Sequence, residues 1–237
     1  MLSLTVSNED ILRVKKMGFL LNKHTDNFSG RVLTTNGNIT AEQQICIGNA
    51  ARLFGNGTVC FTTRLTVEVP GIPYEKIEEF QQYVAQEGLT TGGTGAKIRP
   101  VVSCKGTTCQ YGLIDTFAIA KEIHERFFIG YQDTALPHKF KIAVGGCPNN
   151  CVKPSLNDIG VVGHKNGYRI FIGGRWGRQY SIGQPLTRIA ANEEELMLVI
   201  ERLLGVYIKY GTPRKRFAQL VESMGVEAIE AIVFENL

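Results

Sequence analysis

The sequence of 237 residues lacks long apolar runs. No segment approaches the about 18 consecutive apolar residues of a membrane-spanning helix, so we expect no membrane partner. Only eight prolines and no internal repeat or low-complexity tract are present, which argues against a collagen-like or disordered chain. The N-terminal segment, MLSLTVSNEDILRVKK, has acidic residues where a secretory signal has a basic region followed by an apolar one. We therefore expect a cytoplasmic protein.

A large excess of one charge is also absent. The chain has 26 Lys and Arg against 22 Asp and Glu, a net charge of +4. The densest basic run, Arg214 to Arg216, opens a predicted helix and is interpreted as a solvated face. Nucleic-acid-binding proteins usually concentrate a stronger basic excess on one element, so we expect no nucleic-acid partner.

Fingerprints for flavin and nicotinamide cofactors are missing as well. The glycine-rich segment GLTTGGTG at residues 88–95 is not a strand-to-helix G-x-G-x-x-G turn. No second ferredoxin-type cysteine cluster is inserted in the chain. The glycine-rich segment is instead the best internal boundary, and it predicts domains at residues 1–90 and 91–237.

The first predicted domain alternates strands and helices. A strand is predicted over residues 12–22, followed by a turn region at 27–38. A capping-box spacing, Thr40 with Gln43, predicts a helix to Phe54. Residues 59–69 alternate apolar and polar side chains and predict one half-buried strand, and a second helix begins at Pro73. This order suggests a small α+β layer.

The second predicted domain has a similar mixture. A helix is predicted from Asp115, a second is capped by Asn192 and Glu195, and a third begins at Thr212-Pro213 before a short apolar C-terminal helix. The second of these helices has a core face of Leu196, Val199, Ile200, Leu203 and Tyr207. Strands are predicted at residues 98–103, 139–144, 158–163 and 168–173.

Four of the six cysteines form two pairs, Cys104 with Cys109 and Cys147 with Cys151. Each pair follows a predicted strand and lies in a polar or glycine-rich loop, where the backbone can fold around a compact inorganic group. Four thiolates can bind zinc or a [4Fe–4S] cluster, and the spacing favours the cluster. The remaining two, Cys46 in a helix and Cys60 in a strand, are interpreted as buried structural residues.

Four cationic residues are candidates for a binding site, and three of them lead toward these loops. Arg64 lies on the polar face of the 59–69 strand, and Arg99 precedes the first cysteine pair. Lys139 and Lys141, two residues apart, point to one side of the strand that leads into the second pair. Cations beside a metal centre suit a small oxyanion substrate, which they attract and hydrogen-bond.

Together these residues resemble the sirohaem-dependent sulfite and nitrite reductases. The resemblance runs from about Val59 to the C-terminus and rests on TTR, on Arg99 before a cysteine pair, and on LPHKFKIAVGGCPNNC, DIGVVGH and FIGGRWGR. It implies an α+β fold in which a ferredoxin-like α/β layer is followed by a sirohaem- and [4Fe–4S]-binding α+β domain with C-terminal helices.

The resemblance also implies roles for individual residues. The cluster would be held by Cys104, Cys109, Cys147 and Cys151, and Cys151 would bridge it to the sirohaem iron. The anion would be bound by Arg64, Arg99, Lys139 and Lys141. The sirohaem carboxylates would be contacted by Arg175 and Arg178, although a solvated turn explains these two equally well.

The implied activity is the six-electron reduction of sulfite to sulfide or of nitrite to ammonia. The alternatives are a non-catalytic iron–sulfur electron-transfer or sirohaem-carrier protein and a zinc-stabilised binding module. Since the chain has no flavin or nicotinamide fingerprint, a separate ferredoxin or flavoprotein is the expected electron donor.

Two departures from the family pattern stand out. The first cysteine pair encloses four residues where the family usually has five, a difference that Gly106 would absorb. Family enzymes also commonly contain two pseudo-symmetric halves, and this chain is one half. We therefore expect a two-fold homodimer.

Overall fold

A computed structural model describes residues 6–235 of the chain. Residues 1–5 and 236–237, which belong to the outer ends of the two predicted domains, lie outside the described residues. The chain divides into two compact units, one up to Gly95 and one from Ala96 onward. Helices and strands alternate in both units, which confirms the predicted α+β class.

The first unit is a four-stranded antiparallel sheet in the order β1-β2-β4-β3. Its core contains Phe19, Phe28 and Phe80, with the rings of Phe19 and Phe80 edge to face at 5.9 Å. The strands are β1 Phe19–Leu21, β2 Asn27–Val32, β3 Cys60–Phe61 and β4 Val67–Pro73. The helices are α1 Asn8–Lys16, α2 Ala41–Phe54 and α3 Ile77–Ala85, the last preceded by a 3₁₀ turn at Tyr74–Lys76.

The structure confirms the two predicted helices of this unit. The capping box before α2 is complete, because the Gln43 N–H donates to the Thr40 hydroxyl and the Thr40 N–H to the Gln43 side chain, both at 3.1 Å. Cys46 on this helix is buried, as predicted.

The prediction of a strand at residues 12–22 and a turn at 27–38 is only partly correct, because the strand is confined to Phe19–Leu21 and the turn to residues after Val32. Residues 8–16 form α1, because the Ser7 hydroxyl accepts the Asp10 N–H at 3.1 Å and caps the helix. Acidic residues in its first turn and basic residues in its last turn also stabilise the helix through its dipole. Residues 27–32 form β2, in which Gly30 is not a turn residue but leaves room for a neighbouring aromatic ring. A Cβ at Gly30 would lie 2.8 Å from the Phe19 ring.

The single strand predicted over residues 59–69 is also wrong, since the segment folds into a hairpin. Cys60 pairs with Glu68 and Phe61 with Val67. The turn is closed by a 2.7 Å hydrogen bond between the Thr62 and Thr66 hydroxyls. The change of direction moves Arg64 from a strand face to the turn, and it leaves Phe61 77% exposed and Cys60 exposed rather than buried.

The second unit has a five-stranded mixed sheet in the order β5-β6-β7-β8-β9. Its first three strands are parallel and its last two pairings are antiparallel. The strands are β5 Val102–Ser103, β6 Ile142–Gly145, β7 Ile159–His164, β8 Gly167–Ile172 and β9 Gln184–Pro185. The α-helices are α4 Thr116–Ile123, which continues as a π-helix over His124–Ile129, α5 Glu193–Tyr210, α6 Phe217–Met224 and α7 Val226–Val233.

Several predictions for this unit are confirmed. The side chain of Asp115 caps α4, and that of Asn192 caps α5 through the Glu195 N–H at 2.9 Å. The predicted core face of α5 is buried along its whole length. The strands predicted at residues 158–163 and 168–173 correspond to β7 and β8.

Two strands are shorter than predicted, and one helix begins later. Pro100 has no N–H and interrupts the ladder before β5, leaving an isolated bridge between Ile98 and Phe140. The predicted strand at 139–144 begins only at Ile142, because the Lys141 N–H bonds to the Asp158 side chain instead. The helix predicted from Thr212-Pro213 begins at Phe217.

The helices α5 and α6 pack against the segment that leads into β6. Phe140, Tyr207 of α5 and Phe217 of α6 are fully buried, and their ring centroids lie 5.3–5.4 Å apart. In the part of the chain that the structure describes, no helix combines the length and apolar character needed to cross a bilayer.

Candidate functional site

The two cysteine pairs follow neighbouring parallel strands. Cys104 comes directly after β5, and Cys147 lies two residues after β6. These strands pair in register, with Val102 beside Ala143 and Ser103 beside Val144. Because parallel strands end at the same edge of a sheet, both cysteine loops leave the sheet together.

The two loops are in direct contact through glycine. The Gly146 N–H donates to the Cys104 sulfur at 3.1 Å, and the Leu113 N–H donates to the Gly146 carbonyl at 2.8 Å. A Cβ built at Gly106 would lie 2.9 Å from the Gly146 Cα and 2.6 Å from a Thr116 methyl group. Gly106 is therefore needed for the close approach of the two loops.

The first loop is anchored by the start of α4. The Thr107 hydroxyl donates to the Asp115 carboxylate at 2.6 Å, and the Thr116 hydroxyl donates to the Cys104 carbonyl at 2.7 Å. The Thr107 hydrogen bond, together with those from backbone N–H groups, lowers the pKa of Asp115. The ionised cap thus holds the loop that carries Cys104 and Cys109.

The second loop, from Cys147 to Lys153, turns through two left-handed residues. Asn150 has φ 57° and Lys153 has φ 52°. The Asn150 side-chain amide donates to Ser155 at 3.2 Å, and the Asn157 amide donates to the Lys153 carbonyl at 2.9 Å. Cys147 is half-buried and Cys151 is exposed, so this loop presents its second thiol outward.

The donor set fits an iron–sulfur cluster. Four cysteines in two touching loops match the ligand number of [4Fe–4S], and amide hydrogen bonds to sulfur, like that of Gly146, are typical of such centres. Within residues 6–235, no three His, Cys, Asp or Glu side chains are already placed to hold a metal ion, so the preference for the cluster over zinc rests on the cysteine spacing and on the hydrogen bond to sulfur.

Three of the four predicted anion-binding cations lie on two adjoining extended segments of the second unit. The Arg99 N–H donates to the Phe140 carbonyl at 2.7 Å, and the Phe140 N–H donates to the Lys97 carbonyl at 3.0 Å. Ile98 and Phe140 are buried side by side in the core. Since side chains alternate along extended backbone, Arg99, Lys139 and Lys141 occupy the opposite side.

Electrostatic coupling indicates that these cations are close together. Burial and the neighbouring Arg216, Arg99 and Arg175 lower the pKa of Lys139, while Asp158 raises it. Burial lowers the pKa of His138 as well, and so do the positive charges of its neighbours Lys139, Arg216, Arg99 and Arg175. The His138 Nδ1 accepts the Lys139 N–H at 2.7 Å, so it is neutral at this nitrogen. The structure thus brings Arg99, Lys139 and Arg175 into one basic cluster.

An ion pair that the sequence analysis missed lies beneath this cluster. Arg216 was interpreted as part of a solvated face, yet it is only 5% exposed and binds the fully buried Asp158 at 2.5 Å. Asp158 also accepts the Lys141 N–H at 2.8 Å. The only sequence signal was the position of both charges inside otherwise apolar surroundings, DIGVVG and RFAQLV.

The other predicted site residues lie on loops. Arg175 is half-buried and forms two backbone hydrogen bonds with Ser181, each of 2.9 Å, whereas Arg178 is exposed. Arg64 belongs to the first unit, where it is half-buried in the hairpin turn. A cavity of about 470 Å³ opens beside the Cys147–Cys151 loop and has His164 and Arg169 in its wall.

Comparison with known protein families agrees with this geometry. Residues 94–237 match the nitrite and sulphite reductase 4Fe-4S domain, and residues 22–86 match the nitrite/sulfite reductase ferredoxin-like half domain. The chain belongs to the nitrite and sulfite reductase family. The match confirms the predicted ferredoxin-like layer followed by an iron–sulfur domain, and it extends upstream of Val59, where the sequence resemblance began.

Relatives of this family member differ widely in length. An uncharacterized protein of Methanocaldococcus jannaschii is 29% identical over 90% of this chain, which covers 92% of that relative. The coenzyme F420-dependent sulfite reductase of the same organism is 26% identical over 72% of the chain, which covers only 36% of that enzyme. The chain likewise spans 18% of the nitrite reductase of Emericella nidulans.

Solved structures share the fold of this family member. The NirA protein of Mycobacterium tuberculosis superposes over 96% of the chain with a TM-score of 0.82 and 20% identity. The chain covers 47% of that protein. The two family models together match one ferredoxin-like half domain and one 4Fe-4S domain in this chain.

Proposed function

We propose that this protein is a sirohaem- and [4Fe–4S]-dependent reductase that converts sulfite to sulfide or nitrite to ammonia by six-electron reduction. The observation that carries the proposal is the joint presence, in one compact unit, of two touching cysteine loops and a basic cluster. An electron-transfer protein needs the first feature but not the second.

The cysteine loops would hold the metal centre. The [4Fe–4S] cluster would be bound by Cys104, Cys109, Cys147 and Cys151. The exposed Cys151 would be the ligand that the cluster shares with the sirohaem. When bound, these cofactors supply one-electron transfer and an iron that binds the anion. The Gly146 N–H, by donating to the Cys104 sulfur, would stabilise negative charge on that thiolate.

Cations of the second unit would bind the oxyanion and donate hydrogen bonds to its oxygens. Arg99, Lys139 and Lys141 would carry this role, and the family resemblance assigns Arg64 to it as well. Arg175 and Arg178, together with the basic cavity wall of His164 and Arg169, suit the carboxylates of sirohaem. The pKa of Lys139 is lowered, so its ammonium group would more readily donate a proton to an oxygen of the bound anion. Protonation of that oxygen would help it to leave as water.

Two partners complete the proposal. The electron donor is a separate ferredoxin or flavoprotein, since the sequence has no flavin or nicotinamide fingerprint. The active form is a two-fold homodimer, because family enzymes commonly combine two halves and this chain contains one.

The test is anaerobic reconstitution with iron, sulfide and sirohaem, followed by an absorption spectrum and turnover assays with sulfite and nitrite under a strong artificial reductant. We expect cluster and haem absorption, reduction of at least one anion, and a dimeric mass for the loaded protein. Cofactor binding without turnover would favour a carrier or electron-transfer protein. A colourless protein with one zinc per chain would refute the proposal.

Replacing Lys139 with methionine is expected to raise KM for the anion by about 10- to 100-fold, the equivalent of one charge-assisted hydrogen bond. Steady-state kinetics of the reconstituted variant measure this effect. Lys165→Met is the matched control, because Lys165 is exposed in the turn between β7 and β8. Equal KM values for the two variants would remove Lys139 from the anion site.

A further inference from the structure

The buried Asp158–Arg216 pair joins three separate parts of the second unit. Asp158 is the residue before β7, and Arg216 is the residue before α6. The guanidinium reaches both carboxylate oxygens, Nη2 to Oδ2 at 2.5 Å and Nε to Oδ1 at 3.3 Å. The carboxylate also accepts the Lys141 N–H at 2.8 Å.

Arg216 is itself held firmly. Its backbone N–H donates to the Gln219 side chain at 3.0 Å, which fixes the residue at the first turn of α6. The following residue, Phe217, packs on Phe140 at 5.3 Å. The segment Lys139–Lys141 is therefore held at two points. Phe140 packs against Phe217 of α6, and the Lys141 N–H donates to Asp158.

The pair also sets the charge around Lys139. The groups that face its ammonium are Arg216, Arg99 and Arg175, which disfavour the protonated form, and Asp158, which favours it. His138 contacts its backbone. Arg216 has the largest influence of these charges and exceeds that of Asp158.

We propose that the Asp158–Arg216 pair is the positioning element of the anion site, which fixes the Lys139–Lys141 backbone and balances the charge on Lys139. The inference rests on the proposed function only in assigning an anion as the ligand. A pair with a purely structural role would leave KM for the anion unchanged in a folded variant that keeps both charges.

The proposal predicts opposite effects for the two partners. Asp158→Asn removes the negative charge and leaves Arg216, so the titration of Lys139 moves to lower pH. Arg216→Gln removes the dominant repelling cation, so the titration moves to higher pH. A general loosening of the structure would shift the titration of Lys139 in the same direction in both variants.

The experiment follows the reaction of Lys139 with acetic anhydride as a function of pH, because only the unprotonated amine reacts. Peptide mass spectrometry quantifies acetylation at this residue, and circular dichroism checks folding. The full chain is used without cofactors, so the result does not depend on reductase activity. Arg126→Gln, which removes an exposed arginine from its pair with the half-buried Glu122, is the control and is expected to cause no shift.

A variant that does not fold is replaced by the double variant Asp158→Asn/Arg216→Gln. Because the influence of Arg216 exceeds that of Asp158, the double variant is expected to titrate at higher pH than the unsubstituted protein. Shifts in the same direction for both single variants, or an unshifted double variant, would overturn the inference.

A conservative variant separates positioning from charge. Arg216→Lys keeps the positive charge but replaces the planar guanidinium, which binds the two carboxylate oxygens through two different nitrogens, with a single ammonium nitrogen. We expect the Lys139 titration to stay in place, while KM for sulfite or nitrite in the reconstituted enzyme rises by up to about 100-fold. An unchanged KM would refute positioning. Absence of turnover in the unsubstituted protein would instead refute the proposed function and leave the titration result standing.

Discussion

Replacing Arg216 with methionine is expected to lower the free energy of unfolding by about 3–5 kcal/mol. The cause is the fully buried Asp158 carboxylate, which loses its counter-ion and two hydrogen bonds while it stays out of water. Chemical denaturation of the unmodified and variant proteins, with linear extrapolation to water, measures the loss.

Two controls show whether the unpaired charge causes this loss. Asp158→Asn/Arg216→Met removes both charges and keeps an acceptor for the Lys141 N–H, so it is expected to cost much less than Arg216→Met alone. Arg126→Met removes an exposed arginine from its pair with Glu122 and should change stability by no more than about 1 kcal/mol. A double variant as unstable as the single one would show that packing, not charge, dominates.

Replacing Gly106 with alanine is expected to abolish stable cluster binding. The added methyl group would lie 2.6 Å from the Thr116 Cγ2 and 2.9 Å from the Gly146 Cα, well inside contact distance. The two cysteine loops would separate, and the Gly146 N–H would move away from the Cys104 sulfur. Iron and sulfide content after anaerobic reconstitution measures the effect and is expected to fall to background.

Gly205→Ala is the matched control for this prediction. Gly205 lies within α5, and a Cβ built there meets no atom within 4 Å. Alanine favours a helix interior by up to about 1 kcal/mol over glycine, so stability should be maintained or increased. Normal iron content in Gly106→Ala would show that the two loops do not need their close contact to hold the cluster.

Local signals predicted the elements that depend on few neighbours in sequence. The caps at Thr40, Asp115 and Asn192 each act on N–H groups no more than three residues away, and all three were correctly located. One failure depends on a partner distant in sequence, whereas α1 was missed although its cap at Ser7 is local. Gly30 looked like a turn residue because the Phe19 ring that packs on it belongs to another strand.

The candidate site shows the same division. Cysteine spacing and the Lys-Phe-Lys motif pointed to the candidate metal ligands and to two of the candidate anion-binding cations, since each motif is contiguous. The role of Arg216 could not be recognised, because its burial depends on Asp158, 58 residues earlier in the chain. Arg64 was placed on a strand because the alternating pattern continues through the turn that Thr62 and Thr66 close.

The parallel pairing of β5 with β6 has a consequence for the order of assembly. Cys104 and Cys147 belong to loops joined by α4 and its π-helical extension, and they become neighbours only when β6 has docked beside β5. Such non-local parallel pairing forms late and slowly in folding. Insertion of a cluster would therefore require β5 and β6 to be paired, and incorporated iron would serve as a marker of chains in which this pairing has formed.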